Sequence, residues 1–514
     1  MSMRTRLYLE AEPFQNASGA INAWVEEELR ALGHEVERFN HLHPNAGDSG
    51  IPVANARRVL ALHSRPAADL AIYCDLGLGI RAPSRELARR TLVLFHGLHG
   101  HPTTWLGNPL IDLYGALSPY MHDTLTSLLL TPDWSGRRCL DPRGAANVGT
   151  LVPFLPCLEA PDGESRLQGV ELPRAVQEAL ERGEVLGHAI QPGKADWPAV
   201  CAILLGLRTH AREHGRPPVR LVVAAQDFAL LQHVIRFGFP FPAHALAQAL
   251  QAADTTLEDL LLPVPHLSQP ALFRLFREAR FGLSYNVTPE PFGMYVLESV
   301  LNGCPVYTNG AGNNRHALPP RHGIHVHETE AMAAGAPDAY ASIAARIFQD
   351  VLAPAPVREA CQRGAALIRR TFTRAAFSSG FRAGLARLES DAARPGCAFE
   401  DLVVRLSPTV RKLDAPSGRF RSDYRDDQLG EEEQALLPQV LGKSAGDVLR
   451  ADTRLTPLEA LFDKGVLSLT PPESARPPRS TLGAWAWYPP DATFLEPSLL
   501  RDSDPRQSPL LPGA

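Results

Sequence analysis

Two glutamates, Glu290 and Glu298, are separated by seven residues, and the tripeptide Pro-Phe-Gly directly follows the first of them. An ionised carboxylate only accepts hydrogen bonds, so each glutamate could hold the hydroxyl groups of a ligand. The apolar stretch 281–285 predicts a strand that ends just before Glu290, and 292–301 predicts a helix that carries Glu298. Because ligands of open parallel sheets bind at the carboxyl ends of the strands, this spacing predicts a ligand site.

The start of the predicted helix offers a site for an anion. Main-chain amides of Phe292, Gly293 and Met294 would be free there, and free amides at a helix N-terminus suit a diphosphate. Gly293 would let the backbone approach such a ligand closely. The same helix end would favour the ionised forms of Glu290 and Glu298, which the binding of hydroxyl groups requires.

Strands and helices are predicted to alternate along most of the chain, as they must if these residues are to share one edge of a sheet. Short apolar runs predict a first parallel sheet from strands near 7–9, 68–74, 91–95 and 152–156. A second series predicts strands at 185–190, 219–225, 259–263, 281–285 and 304–308. Two α/β units of similar size predict two Rossmann-like domains that face each other over a central cleft.

The composition excludes several other classes of protein. Of the 514 residues, 45% are hydrophobic and 21% are charged, which is globular composition in a chain long enough for two domains. The formal net charge of −5 gives no strong attraction to nucleic acid or anionic lipid, so no nucleic-acid partner is predicted. The seven cysteines form no C-x-x-C pair, which favours reduced thiols over a zinc site. Because no apolar run is long enough for export or for a membrane span, we expect a cytoplasmic protein without a transmembrane segment.

The E-x7-E pattern with Pro-Phe-Gly, followed by the segment LESVLNGCPV at 297–306, resembles the retaining family-four glycosyltransferases. The resemblance implies a bacterial GT-B enzyme that moves a sugar, expected to be a hexosyl group, from a nucleotide-sugar donor to an unidentified acceptor with retention of anomeric configuration. It assigns Glu290 to the sugar and Glu298 to the ribose. It also implies that no metal ion is needed, because a lysine and the helix amides take its place, and that there is no cofactor, since the nucleotide sugar is a co-substrate.

The same family carries Gly-Arg and then a lysine about five residues on, both reaching the donor phosphates. The matching segment here runs from Gly187 to Lys194, with His188 where arginine is expected and one extra residue in the spacing. Lys194 is also the only lysine before Lys412. The resemblance therefore makes Lys194 a catalytic cation that stabilises the departing diphosphate, and His188 a weaker phosphate contact. We expect Lys194, Glu290 and Glu298 to converge on one pyrophosphate pocket.

Two further residues are assigned by the resemblance to the N-terminal half. His96 follows the predicted strand 91–95 and matches a histidine that lies beside the donor sugar in the family. Gly19, in the loop 16–20, matches a glycine loop that closes over the diphosphate, although only one of the two common glycines is present. His96, His99 and His101 also leave a metal site open as a rival interpretation, but none is predicted, since alternate residues of an irregular loop rarely give tetrahedral geometry.

We predict a Rossmann-like acceptor domain over 1–165, a nucleotide-sugar domain over 166–373, and a helix crossing back to the first domain over 374–395. An accessory module over 396–470, compatible with a winged-helix fold, and an extended or disordered tail over 471–514 complete the chain. The alternative is a GT-B-like binding or scaffold protein without turnover, whose C-terminal module recruits a protein or peptide. A third possibility keeps the fold but changes the reaction to that of an epimerase or a phosphorylase.

Overall fold

The computed structural model describes residues 3–9, 17–40, 66–74, 88–97, 105–106, 108–139, 151–153, 167, 169–191, 193–238, 244–327, 340–389, 397–414, 416–424, 426–451 and 454–472. The chain divides into two compact units. The first contains the described residues of 1–157 and of 372–498, and the second contains those of 158–371.

The first unit is built on a six-stranded sheet in which all strands are parallel, in the order β2-β1-β3-β4-β5-β8. Its apolar strand segments are buried, as expected for a sheet covered on both faces. The elements in chain order are β1 (Arg4–Leu9), α1 (Ala17–Ala31), β2 (Glu35–Asn40), β3 (Ala68–Cys74), β4 (Ala88–Phe95), β5 (Leu113–Ala116), α2 (Pro119–Leu129), the short hairpin β6 (Pro132–Asp133) and β7 (Arg138–Cys139), and β8 (Leu151–Pro153).

The second unit contains another parallel six-stranded sheet, in the order β11-β10-β9-β12-β13-β14. Its elements are α3 (Arg174–Glu181), β9 (Val185–Ala189), α4 (Trp197–Glu213), β10 (Val219–Ala224), α5 (Ala225–Phe237), α6 (His244–Ala252), α7 (Leu257–Leu260), β11 (Leu261–Val264), α8 (Gln269–Glu278), β12 (Phe281–Ser284), α9 (Met294–Leu301), β13 (Val306–Thr308), β14 (Ile324–Val326), α10 (Ala341–Leu352) and α11 (Ala355–Thr371).

The strand order of the second sheet reverses between β9 and β12. From β9 the chain builds outward through β10 to β11, and it then returns to the other side of β9 to build β12, β13 and β14. In a doubly wound sheet such a reversal opens a crevice at the carboxyl ends of the two strands. The predicted class, a mixed α/β protein with two Rossmann-like parallel sheets, is confirmed, and the reversal lies at the loops after β9 and β12.

The chain returns to the first unit through α12 (Arg374–Glu389), which packs on α1. Glu28 of α1 accepts hydrogen bonds from Ser378 and from Arg382, the latter at 3.0 Å, and Trp24 packs edge-on against Phe377. These contacts anchor α12 to the first sheet's helical layer.

The remaining described elements form a C-terminal module that also belongs to the first unit. They are β15 (Val403–Leu406), β16 (Val410–Asp414), β17 (Arg419–Ser422), β18 (Asp426–Gln428), α13 (Glu431–Val440), α14 (Ala445–Arg450), α15 (Leu455–Asp463) and β19 (Leu467–Thr470). Four strands precede the three helices, and β19 pairs antiparallel with β15. The winged-helix interpretation is not supported by this order, although α15 does lead through Gly465, with φ of +69°, into the buried strand β19.

The C-terminal module is fixed to the first unit by buried contacts. The hydroxyl of Tyr120, at the start of α2, donates to Asp423 Oδ2 at 2.6 Å. Trp134, in the β6–β7 hairpin, packs edge-on against Phe399 and Phe462. Because both contacts are apolar or buried, the module is part of the first unit's core and not an independent appendage.

Within the described part of the chain, no helix combines the length and the apolar character needed to cross a membrane.

Candidate functional site

The crevice position of the second sheet is occupied by an ion pair. Lys194 follows β9, Glu290 follows β12, and Lys194 Nζ lies 2.8 Å from Glu290 Oε2. The carboxylate side chain is 9% exposed, whereas the lysine side chain is 35% exposed. The carboxylate is therefore held inside the loop structure, while the ammonium group can reach a ligand from solvent.

Main-chain hydrogen bonds join the two loops that carry this pair. The amide of Val287 donates to the carbonyl of Lys194 at 2.9 Å, and the amide of Asp196 donates to the carbonyl of Tyr285 at 2.7 Å. Loops almost a hundred residues apart in sequence thus run side by side. The ion pair is consequently positioned by the backbone as well as by its own attraction.

The backbone of Glu290 is fixed by the loop that follows β13. The amide of Asn313 donates to the Glu290 carbonyl at 2.7 Å, and the amide of Glu290 donates to the Ala311 carbonyl at 3.4 Å. Gly312 lies between these two bonds with φ of +62°, and a Cβ atom there would stand 2.3 Å from the Glu290 nitrogen. Only glycine allows this approach, so the position of Glu290 depends on Gly312.

The start of α9 lies beside the Glu290 carboxylate, as predicted, but one of its amides is already used. Gly293 precedes the helix with φ of +95°, and its amide donates to Glu290 Oε1 at 3.3 Å. Phe292 is buried, and its carbonyl accepts from Asn313 Nδ2 at 2.6 Å. For the amide of Met294 no hydrogen bond is formed with the described residues. The amide of Gly293 is therefore not free, because it donates to Glu290, and the binding of an anion by the Met294 amide stays a prediction.

The prediction that His188 contacts phosphate is also wrong. The side chain lies under α9 with 0% exposure, where Nδ1 is 2.5 Å from the Tyr295 hydroxyl and Nε2 is 2.9 Å from the Ser299 hydroxyl. Burial lowers the pKa of His188 to about 3, so the ring is neutral. Its role is to bind β9 to α9. Gly282 makes room for the ring, since a Cβ atom there would stand 2.5 Å from it.

Glu298 lies in the middle of α9 and faces a different neighbour from Glu290. Its Oε1 accepts from Gln269 Nε2 of α8 at 3.3 Å. Burial raises the pKa of Glu298 to about 7, and the hydrogen bond from Gln269 opposes the rise. The expectation that the helix end would favour an ionised carboxylate is therefore not met at Glu298, because desolvation outweighs the helix dipole away from the first turn.

The two predicted residues of the N-terminal half lie in the first unit. His96 directly follows β4, as expected from the sequence, and is buried. Gly19 is in the first turn of α1, so it is part of a helix and not of the predicted loop. The neighbouring His99 and His101 lie outside the described residues. Across the described ranges, no three or more histidine, cysteine or acidic side chains are grouped so that they could hold a metal ion.

A set of hydrogen-bonded polar residues lies beneath Glu290. Asn314 Nδ2 donates to Ser284 Oγ at 3.1 Å, and Asn309 Nδ2 donates to the carbonyl of Asn286 at 2.9 Å. These bonds tie the ends of β12 and β13 together. In the sequence, asparagines at 309, 313 and 314 directly after a buried strand indicate such hydrogen bonds, since polar residues there must find partners inside the fold.

Comparisons with known proteins give structural similarity at low sequence identity. Neither a protein-family model nor a curated protein sequence matches the chain. Among solved structures, it is similar to a glycosyltransferase from Rickettsia africae, with 11% identity, a TM-score of 0.48, and coverage of 76% of this chain and 100% of that one. HepE of Anabaena, solved with UDP and glucose, gives 13% identity, a TM-score of 0.46, and coverage of 75% and 100%. Sucrose-phosphate synthase from Thermosynechococcus elongatus gives 14% identity, a TM-score of 0.48, and coverage of 75% and 99%. At these identities and TM-scores, the similarity by itself assigns neither a family nor a reaction.

Proposed function

We propose that this chain is a GT-B glycosyltransferase that transfers a sugar from a nucleotide-sugar donor to an acceptor hydroxyl with retention of anomeric configuration. The observation that carries the proposal is the Lys194–Glu290 ion pair at the strand-order reversal of the second sheet, beside the N-terminus of α9. This placement combines a cation, carboxylate oxygens that can accept from sugar hydroxyls, and a main-chain amide. They lie at the edge where a doubly wound sheet binds ligands.

In the proposed reaction, the bond between the anomeric carbon and the donor phosphate oxygen breaks while the acceptor oxygen bonds to that carbon on the same face. The acceptor proton passes to the departing phosphate oxygen, so no separate base is required. Lys194 stabilises the negative charge that develops on the diphosphate, and the Met294 amide adds a donor. Glu290 accepts hydrogen bonds from sugar hydroxyls. His96 of the first unit is kept as a proposed contact to the sugar.

The electrostatic balance of the site supports this division of roles. In the absence of donor, Glu290 neutralises Lys194, so the cation is held in place without an unpaired charge. A diphosphate brings more negative charge than one carboxylate, and it can therefore draw the exposed ammonium group while Glu290 keeps its bond to the Gly293 amide. We include Glu298 as the proposed ribose contact. His188 is left out of the donor site because its ring is enclosed.

The test is a donor screen on the purified full-length protein. UDP-, GDP- and ADP-sugars are incubated with and without pooled acceptors, products are identified by mass spectrometry, and anomeric configuration is assigned by NMR. Transfer is expected with at least one donor and is expected to persist in EDTA. Lys194→Ala and Glu290→Gln are each expected to lower kcat/KM by about a hundredfold or more without altering the circular dichroism spectrum.

Two exposed residues serve as matched controls for these variants. Glu278→Gln changes an exposed glutamate of the second unit, and Lys443→Ala removes an exposed lysine of the C-terminal module; both should keep wild-type rates. Wild-type rates in Lys194→Ala and Glu290→Gln would refute the site. If the protein neither binds nor turns over any sugar nucleotide, the scaffold alternative is favoured.

A further inference from the structure

A buried acidic residue, Asp227, lies next to the loop that carries Lys194. It is in the first turn of α5, which directly follows β10, the neighbour of β9 in the second sheet. The residue is 3% exposed, and its Oδ1 accepts a hydrogen bond from the amide of Gly193 at 3.0 Å. Gly193 immediately precedes Lys194, so this carboxylate acts on the backbone at the start of the catalytic lysine.

Asp227 does not serve its own helix. An acidic side chain at the third position of a helix commonly turns back to accept from the amide that starts the helix. The N-terminus of α5, at Ala224, has no such side-chain hydrogen bond. Asp227 instead bonds across to the loop after β9, and its second oxygen, Oδ2, has no hydrogen-bond partner among the described residues. Burial raises the pKa of Asp227, with the Gly193 amide opposing the rise, so the carboxylate is kept here at an energetic cost.

The turn that Asp227 holds sets the direction of Lys194. Gly193 has φ of +72°, the amide of Lys194 donates to the Gln191 carbonyl at 3.3 Å, and the carbonyl of Lys194 accepts from Val287. The carbonyl of Lys194 is thus bonded to the loop that carries Glu290. On the N-terminal side of Lys194, the amide of Gly193 is held by Asp227.

We propose that Asp227 is a positioning residue that fixes the Gly193–Lys194 turn, so that the ammonium group of Lys194 meets the donor diphosphate. This role rests on the proposed function of the site. Asp227 itself touches no reacting atom in the proposal, and its effect on the ligand passes entirely through Lys194.

The first test measures binding of nucleoside diphosphates, UDP, GDP and ADP, by calorimetry to a set of variants. Asp227→Ala is expected to raise the Kd of the nucleoside diphosphate that binds most tightly by roughly tenfold. A Lys194 ammonium group displaced from the diphosphate would lose most of its interaction energy. Asp227→Asn keeps an oxygen that accepts from Gly193 and should stay within about threefold of wild type. In a Lys194→Ala background, Asp227→Ala should change Kd by less than about twofold. An equal loss with and without Lys194, or an Asp227→Asn variant as weak as Asp227→Ala, would overturn the proposal.

The second test needs no ligand and separates this proposal from the proposed function. Hydrogen–deuterium exchange of the peptide spanning 190–195 should be about tenfold faster in Asp227→Ala than in wild type, and unchanged in Asp227→Asn, since the Gly193 amide is released only in the former. Unchanged exchange in Asp227→Ala would overturn the positioning role. If the two variants exchange as expected but the wild-type protein binds no nucleoside diphosphate, the proposed function is refuted. The hydrogen bond between Asp227 and Gly193 would then still stand as a structural contact.

Discussion

Replacing His188 by arginine, the residue that the glycosyltransferase resemblance leads one to expect there, should destabilise the second unit and not improve donor binding. The ring of His188 is fully enclosed, is bonded through both nitrogens to Tyr295 and Ser299, and packs 4.5 Å from the ring centroid of Phe276. A longer, permanently charged side chain does not fit in this enclosed position.

The magnitude follows from three contributions. Losing the hydrogen bonds from the ring to Tyr295 and Ser299 costs about 0.5–1.5 kcal/mol each, because each hydroxyl keeps a second partner, Ile190 or Cys304. Overpacking against Gly282, where a Cβ atom would already stand 2.5 Å from the ring, adds about 1–3 kcal/mol. Burying the arginine charge costs several kcal/mol more unless the structure around it opens to expose the charge to water. We therefore expect His188→Arg to lower the free energy of unfolding of the second unit by at least about 3 kcal/mol.

The assay is urea denaturation followed by circular dichroism, with hydrogen exchange of the β9 peptide to assign the transition to the second unit. His266→Arg, which makes the same change at an exposed loop position of this unit, is the matched control and should leave the midpoint unchanged. An unchanged midpoint in His188→Arg together with tighter donor binding would refute the reasoning, because the side chain would then point to the ligand.

The same burial gives a pH signature. The pKa of His188 is lowered from 6.5 to about 3 in the folded state. Between about pH 3 and pH 6.5, this side chain is therefore protonated in the unfolded chain but neutral in the folded chain. The stabilising contribution is complete above pH 6.5 and falls by about 1.4 kcal/mol per pH unit as the pH drops toward 3. His188→Gln should flatten this dependence in urea titrations at several pH values, and an identical slope in the variant would contradict the assignment.

Three further outcomes are expected. Gly312→Ala should lower kcat/KM at least tenfold because its Cβ would displace the backbone of the site glutamate, whereas Gly215→Ala, also at positive φ but with open space around it, should lose only about 1 kcal/mol of stability; equal activity in the two variants would contradict the steric argument. If Glu298 must be ionised to bind the donor, affinity should rise as the pH increases through about 7, and Glu298→Gln should remove this dependence in binding titrations. Tyr120→Phe should destabilise the first unit by about 1–3 kcal/mol in thermal unfolding, because Asp423 loses a buried donor, and an unchanged Tm would argue that the module is only loosely attached.

The alternation of strands and helices could be predicted because it is written in local apolar periodicity. The strands around 185–189, 219–224 and 281–284 were predicted within about one residue of their observed ends. Helix α5 was missed, since its apolar residues continue directly from β10 without a turn signal between them. The buried carboxylate of Asp227 was missed with it.

The residues of the site divide in the same way. By residue type and spacing alone, the sequence determined that Lys194 and Glu290 belong to loops at the carboxyl ends of two strands of one parallel sheet. Only the tertiary structure decided that β9 and β12 are neighbours at the reversal of strand order, which brings the two side chains to 2.8 Å. It also decided that His188 faces the interior. A side chain's direction relative to α9 depends on which residues pack against it, such as Gly282, Tyr295 and Ser299, and these partners lie up to 111 residues away in the chain.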